Sequence, residues 1–120
     1  YKIYRFPGGS PEARGNTATY KKILESLADY GYSAYDWTML NNDVWSRSRA
    51  GGLTPLQYVK STFLSQLDRI DKTSLSAANI VLLHETYDCT VDMLEWAIDL
   101  LIERGYKFDT LDNFEGDWLM

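Results

Sequence analysis

The segment Asn79-Ile80-Val81-Leu82-Leu83-His84 is an almost unbroken apolar run that ends on the only histidine of the chain. Its apolar residues do not alternate with polar ones, a pattern typical of a strand that is covered on both faces in a parallel sheet. Apolar residues recur at helical spacing before and after this run. The pattern predicts a buried parallel strand between two helices.

Strands and helices alternate in the same way along the rest of the chain. Further strands are predicted over residues 1–6, 32–35 and 106–111, and a long polar loop runs through Asn41 and Gly52. The order predicts an α/β fold of parallel βαβαβαβ units, either as a small open sheet or as part of a larger barrel, which needs about eight strands. Amphipathic helices are predicted from Asn16 or Thr17 to Gly31, from Thr54-Pro55 through Ile70, and from the cap Thr90 to Gly105. The side chains expected to face inward on the last helix are Val91, Leu94, Ile98, Leu101 and Ile102.

The composition is that of one globular domain without a nucleic-acid or membrane signature. The 120 residues are 45% hydrophobic and 24% charged, with a net charge of -5 and no run of Lys or Arg. An acidic chain lacks the positive surface that binds phosphate backbones, so nucleic acid is disfavoured as a partner. Its apolar stretches are far shorter than the roughly 20 residues that span a bilayer, and the single cysteine, Cys89, allows no internal disulfide. Since Tyr1 already begins a predicted strand, we expect the natural start to lie upstream.

Three predicted strands deliver polar side chains to one edge of the sheet. Arg5 closes the first strand, Asp36 and Trp37 follow the second, and His84 ends the third. Ligands bind beyond the carboxyl ends of parallel strands, so these residues are the site candidates. A carboxylate on a histidine favours the protonated ring, which suits a general acid, and arginine orients carboxylates through its planar fork. Each residue alone also has an ordinary explanation as a strand end, a turn former or a core side chain.

The chain lacks several catalytic signatures. It has no nucleophile motif around Ser or Cys, no glycine-rich phosphate loop, and no second histidine. The sequence therefore predicts no histidine-based metal site within this chain. If the protein hydrolyses a substrate, we expect its water-activating groups to lie elsewhere.

Three short motifs resemble the second half of the polysaccharide deacetylase family, carbohydrate esterase family 4. Arg5-Phe6-Pro7-Gly8-Gly9-Ser10 is similar to the family's third motif, Tyr35-Asp36-Trp37 to its Asp-Trp motif, and Val81-Leu82-Leu83-His84 to its Leu-x-His motif. Their order and spacing agree with the family, and the resemblance covers essentially the whole chain. It implies that residues 1–120 are the C-terminal part of a catalytic domain whose fold is a distorted (β/α) barrel.

The resemblance implies a role for each motif residue. Arg5 would orient a catalytic aspartate from the family's first two motifs, and Asp36 would tune His84 as the general acid. The family's oxyanion hole uses the backbone N–H after the proline of the third motif, where many relatives have Tyr and this chain has Gly8. The acetyl methyl would sit in a pocket lined by aromatic and aliphatic side chains. The residues implied in substrate binding are Trp37, Leu82, Pro7 and Gly8.

For the complete enzyme, the resemblance implies metal-dependent removal of N-acetyl groups from a polysaccharide such as peptidoglycan or chitin. The family's divalent ion, with zinc expected, is held by motifs that this chain lacks, so we expect no metal ligands here. The resemblance also implies an extracellular or cell-surface protein. We expect the isolated chain to be inactive, and to need either an N-terminal half or a second copy of itself to cover its sheet.

Two other functions fit the same residues. A non-catalytic α/β module could bind glycans or regulate an enzyme without cleaving its ligand, and metal content would distinguish it from a deacetylase. An interaction protein unrelated to sugars would use Asp36 and His84 only as polar strand ends. That reading predicts the two side chains far apart.

Overall fold

A computed structural model describes residues 1–73 and 78–120. The chain divides into two compact units, one formed by Tyr1–Trp37 with Phe108–Met120 and the other by Thr38–Lys107. Helices and short parallel strand pairs build both units, which confirms the predicted α/β class. No helix in the described part of the chain combines the length and hydrophobicity that a membrane crossing needs.

The first unit is a βαβ arrangement followed by a returning segment. The side chain of Asn16 accepts a hydrogen bond from the Thr19 N–H at 3.2 Å and caps the main helix, as predicted. Parallel pairing joins the two strands, with Ile3 opposite Ser33 and Tyr4 opposite Ala34. The elements are β1 (Ile3–Tyr4), α1 (Ser10–Ala13), α2 (Thr17–Asp29) and β2 (Ser33–Ala34).

The second unit repeats this plan around a larger core. Its strands pair in parallel, with Met39 opposite Val81 and Leu40 opposite Leu82. The elements are β3 (Met39–Leu40), α3 (Pro55–Thr73), β4 (Val81–Leu82) and α4 (Asp88–Glu103). The buried hydrophobic core consists of Met39, Val59, Phe63, Leu67, Cys89, Met93 and Ala97.

Two strand predictions are corrected. Residues 106–111 were expected to form the last strand, but 106–110 have no regular structure and Leu111–Asn113 is a single 3-10 turn. The segment instead reaches the first sheet further on, where Trp118 forms a parallel bridge to Tyr35. Conversely, β3 lies inside the stretch that was predicted as a polar loop. Two apolar residues among polar neighbours are too short a run to show strand periodicity.

The inward face predicted for α4 is also wrong. Val91, Leu94, Ile98 and Ile102 are all exposed, and Leu101 is only half-buried. The side chains that pack inward are Cys89, Met93 and Ala97. Apolar residues lie around most of this helix, so periodicity alone does not select one face.

Candidate active site

His84 lies two residues after β4 and makes two hydrogen bonds to one carboxylate. Its ring nitrogen Nδ1 lies 2.8 Å from Asp43 Oδ1, and its backbone N–H donates to Asp43 Oδ2 at 2.8 Å. The imidazole remains 36% exposed. Asp43 therefore fixes both the backbone and the ring of the histidine while leaving part of the ring open to solvent.

Asp43 opens a 3-10 turn, Asp43–Trp45, and its side chain is only 2% exposed. Besides the two bonds from His84, the carboxylate accepts the Thr90 hydroxyl at 2.7 Å and the Val44 N–H at 2.9 Å. Four donors converge on its two oxygens, which satisfies a buried carboxylate well. Thr90 is therefore not the cap of α4 that the sequence predicted, because its hydroxyl donates to Asp43 and the helix begins at Asp88.

The charge state of Asp43 determines which ring nitrogen of His84 carries hydrogen. Burial by itself raises the pKa of Asp43, but the hydrogen bonds from Thr90 and from the backbone and ring of His84 outweigh it, so this pKa lies below its usual value. An ionised carboxylate only accepts hydrogen bonds, so Nδ1 is the donor in the contact with Oδ1. Nε2 has no hydrogen-bond partner among the described residues, so it is the ring nitrogen available to a substrate.

Asn41 supports the carboxylate from behind. Its side chain is fully buried, donates from Nδ2 to Thr90 Oγ1 at 2.8 Å, and accepts the Asp43 N–H on Oδ1 at 3.2 Å. Asn42 adopts the left-handed conformation with φ 57°, which asparagine tolerates better than most residues. The chain changes direction at Asn42, between β3 and Asp43, and the Asp43 carboxylate that follows is buried.

The lowered pKa of Asp43 predicts a specific loss of stability in acid. Because the folded-state pKa lies below the unfolded value of about 3.9, the stabilisation is present above about pH 4 and is lost as the pH falls through the lowered folded value. Asp43→Asn is expected to lower the free energy of unfolding by about 1–3 kcal/mol at pH 7, and by less at pH 3. Urea denaturation of both proteins between pH 7 and pH 3 measures this difference. A gap that stays constant over that range would contradict the assignment.

The predicted pairing of Asp36 with His84 is wrong, because the carboxylate that binds Nδ1 is Asp43. Asp36 lies in the first unit, buried, and its oxygens accept the Ser10 N–H at 2.9 Å, the Ser10 hydroxyl, and the Met120 N–H at 2.8 Å. The carboxylate that binds His84 follows β3, a strand that the sequence pattern did not reveal.

The structure gives the local position of each remaining predicted residue, and their roles are still predictions. Arg5 follows β1 directly, is exposed, and makes no hydrogen bond or ion pair among residues 1–73 and 78–120. Pro7 and Gly8 are exposed in the turn after it, Trp37 is half-buried beyond β2, and Leu82 is half-buried in β4. Because Arg5 and Asp36 belong to one unit and His84 to the other, their clustering remains a prediction.

Three residues of the site were not predicted: Asn41, Asp43 and, in its actual role, Thr90. A signal was present in the polar triplet 41–43, because buried turns that bind their own backbone favour Asn and Asp. That signal is weak, since the same residues are common in ordinary solvent-exposed loops.

The described residues do not form a metal centre. They contain no group of three or more His, Cys, Asp or Glu side chains that could hold an ion. The described residues therefore do not fit the divalent metal that the resemblance implies.

The chain is similar to "Putative polysaccharide deacetylase YheN" of Bacillus subtilis (strain 168), with 31% identity over 90 residues. The match covers 75% of this chain and 29% of the relative, so the chain spans less than a third of that protein's length. No protein-family model matches the chain. No solved structure matches it.

Proposed function

We propose a function on the premise that the chain is a homologue of the polysaccharide deacetylases, which its similarity to YheN shows. The protein removes N-acetyl groups from an N-acetylated polysaccharide, and this chain supplies the proton donor. The observation that carries the proposal is His84, held at Nδ1 by a buried, ionised Asp43 and with Nε2 free of hydrogen bonds among the described residues.

The proposed step is protonation of the leaving amine. As the bond between the acetyl carbon and the sugar nitrogen breaks, Nε2 of the protonated His84 gives its proton to that nitrogen, which departs as a neutral amine. The second product is acetate, because a water molecule supplies its new oxygen. Asp43 keeps Nδ1 protonated and stabilises the positive ring before the transfer, which is the role of the third group in an acid–base relay.

The first unit contributes the polar turn that follows β1. In the proposal, the Gly8 N–H donates to the carbonyl oxygen as negative charge develops on it, and Arg5 orients a carboxylate base. Trp37 and Leu82 keep the substrate-binding role that the resemblance implies for each of them. The family's divalent metal and base come from outside the described residues, and the complete catalytic domain is the distorted barrel of the family.

Peptidoglycan or a chitin-like polymer is the proposed substrate, and the proposed location is the cell surface or outside the cell.

Acetate release is the direct test of this function. The natural protein that contains this chain is incubated with zinc and N-acetylated oligosaccharides, and free acetate is measured together with binding of the sugar. Turnover supports the deacetylase. Binding of the sugar without acetate would support the non-catalytic glycan module instead, and absence of both would favour an interaction protein.

Trp45 is expected to contribute to substrate affinity. It lies two residues after Asp43, is 42% exposed, and has the Arg49 guanidinium 3.8 Å from its ring centre. An exposed indole offers an apolar face to a sugar ring, so Trp45→Ala should raise KM about 2- to 10-fold with little change in kcat. Initial rates over a range of oligosaccharide concentrations measure both constants. Tyr30, exposed in the first unit, provides the control: Tyr30→Ala should leave KM unchanged, and equal effects of the two variants would refute the role of Trp45.

A further inference from the structure

We propose that Asp36 is a positioning residue that holds the Gly8 N–H in place by fixing Ser10. It acts on the turn of the third motif and not on His84. This inference rests on the proposed function, because it assigns a structural cause to one of its steps, the stabilisation of negative charge on the carbonyl oxygen.

The turn itself is built from Phe6-Pro7-Gly8-Gly9. The Gly9 N–H donates to the Phe6 carbonyl at 2.9 Å, and Gly8 has φ +73°. Proline at the second position and glycine with positive φ at the third are the features of a type II turn. The Gly8 N–H is not used in closing this turn, and it has no hydrogen-bond partner among the described residues.

The turn is held from both ends. On one side, Phe6 is 2% exposed and packs its ring 5.0 Å from Tyr4 and 5.3 Å from Tyr20, centre to centre. On the other side, Ser10 is fully buried and gives both its backbone N–H and its hydroxyl to the two oxygens of Asp36. One buried carboxylate therefore fixes Ser10, the residue that follows the turn, in position and orientation.

Trp37, the neighbour of Asp36, restricts the conformation of the turn by packing against Gly9. Gly9 has φ +90°, and a Cβ atom built on it would lie 2.9 Å from Cη2 of the Trp37 ring. Such a distance is too short for a real side chain, so the indole packs directly against the turn backbone. The Asp-Trp pair thus acts as one clamp, in which the carboxylate binds Ser10 and the indole covers Gly9.

This arrangement predicts which kinetic quantity Asp36 affects. An N–H that stabilises charge only in the transition state contributes to kcat, and displacing such a group by about 1 Å costs about 100-fold. The carboxylate that binds the ring supplying the proton is Asp43, not Asp36. Loss of Asp36 should therefore lower kcat and leave the pH dependence of the rate unchanged.

The test compares Asp36→Asn, Ser10→Ala and the double variant in the natural protein. Asparagine has one acceptor oxygen in place of two, so either the Ser10 N–H or the Met120 N–H loses its acceptor, and Asp36→Asn should lower kcat about 10- to 100-fold with KM within about threefold. Ser10→Ala keeps the backbone N–H, removes only the hydroxyl, and should lower kcat in the same direction by a smaller factor. Because both changes break one contact, the double variant should resemble Asp36→Asn within about threefold.

Asp117→Asn is the matched control, since Asp117 also accepts a backbone N–H within the first unit, that of Ala34, at 2.8 Å. If Asp36→Asn lowers kcat through the turn and not through a loss of overall stability, Asp117→Asn should leave kcat unchanged. A shifted pH profile in Asp36→Asn, or multiplicative losses in the double variant, would overturn the inference. Should Asp36→Asn fail to fold, Ser10→Ala with normal kcat would overturn it alone. Activity of His84→Ala at the wild-type level would instead refute the proposed function, so the two failures are distinguishable.

Discussion

Replacing His84 with alanine is expected to lower kcat for N-acetyl hydrolysis about 10²- to 10⁴-fold, the usual contribution of a positioned acid. Without the ring, the amine must leave as an unstable anion or wait for a proton from water. The histidine is 36% exposed and its side-chain bond is to Asp43, so substrate binding should persist and KM should change little.

Steady-state rates and metal content of the His84→Ala protein measure this effect. The metal content should match that of the wild type, because the described residues do not form a metal centre. His84→Gln keeps a polar side chain but cannot carry the proton, so it should be as inactive as the alanine variant. A kcat within about threefold of wild type in either variant, or loss of metal from both, would contradict the acid role.

Asp43→Asn is expected to produce the second large loss, also about 10²- to 10⁴-fold in kcat. The amide lacks the negative charge that stabilises the protonated ring, and its NH₂ group can donate to Nδ1 and favour the wrong tautomer. Two further donors, the His84 N–H and the Thr90 hydroxyl, approach the other oxygen and would also lose a charged acceptor.

Double variants separate the two carboxylates. Asp43 is the carboxylate on Nδ1 and Asp36 binds Ser10, so Asp43→Asn should add little further loss of kcat to His84→Ala, whereas Asp36→Asn should add its own loss. The opposite pattern would restore the pairing that the motifs suggested. Circular dichroism shows whether the variants remain folded.

The elements predictable from sequence were those with strong local signals. Asn16 caps α2 and Gly31, with φ +73°, ends the same helix region, so the first βαβ unit follows from short-range rules. The strand before His84 was visible as an apolar run. By contrast, β3 is only two residues long, Met39–Leu40. It is defined by its parallel pairing with Val81 and Leu82, more than 40 positions away. Such long-range pairing leaves little trace in a single local window.

The same missing strand explains the error in the candidate site. His84 was identified correctly as the end of a parallel strand, and a carboxylate partner was expected from the neighbouring strand end. The nearest visible strand pointed to Asp36, but the neighbour of β4 is β3, and the chain beyond β3 leads to Asp43. The residue types suggested a pair of histidine and carboxylate, whereas the identity of the carboxylate depended on the sheet pairing.

The role of His84 as a general acid can be tested by comparing two leaving groups in the His84→Ala protein. A general acid matters only when the departing atom needs a proton. An N-acetylated oligosaccharide releases a basic amine, whereas 4-nitrophenyl acetate releases an anion that is stable in water. If His84 protonates the leaving group, the variant should lose about 10²- to 10⁴-fold in kcat on the amide and less than about tenfold on the ester. Equal losses on both substrates would show that His84 acts on another step and would contradict the account.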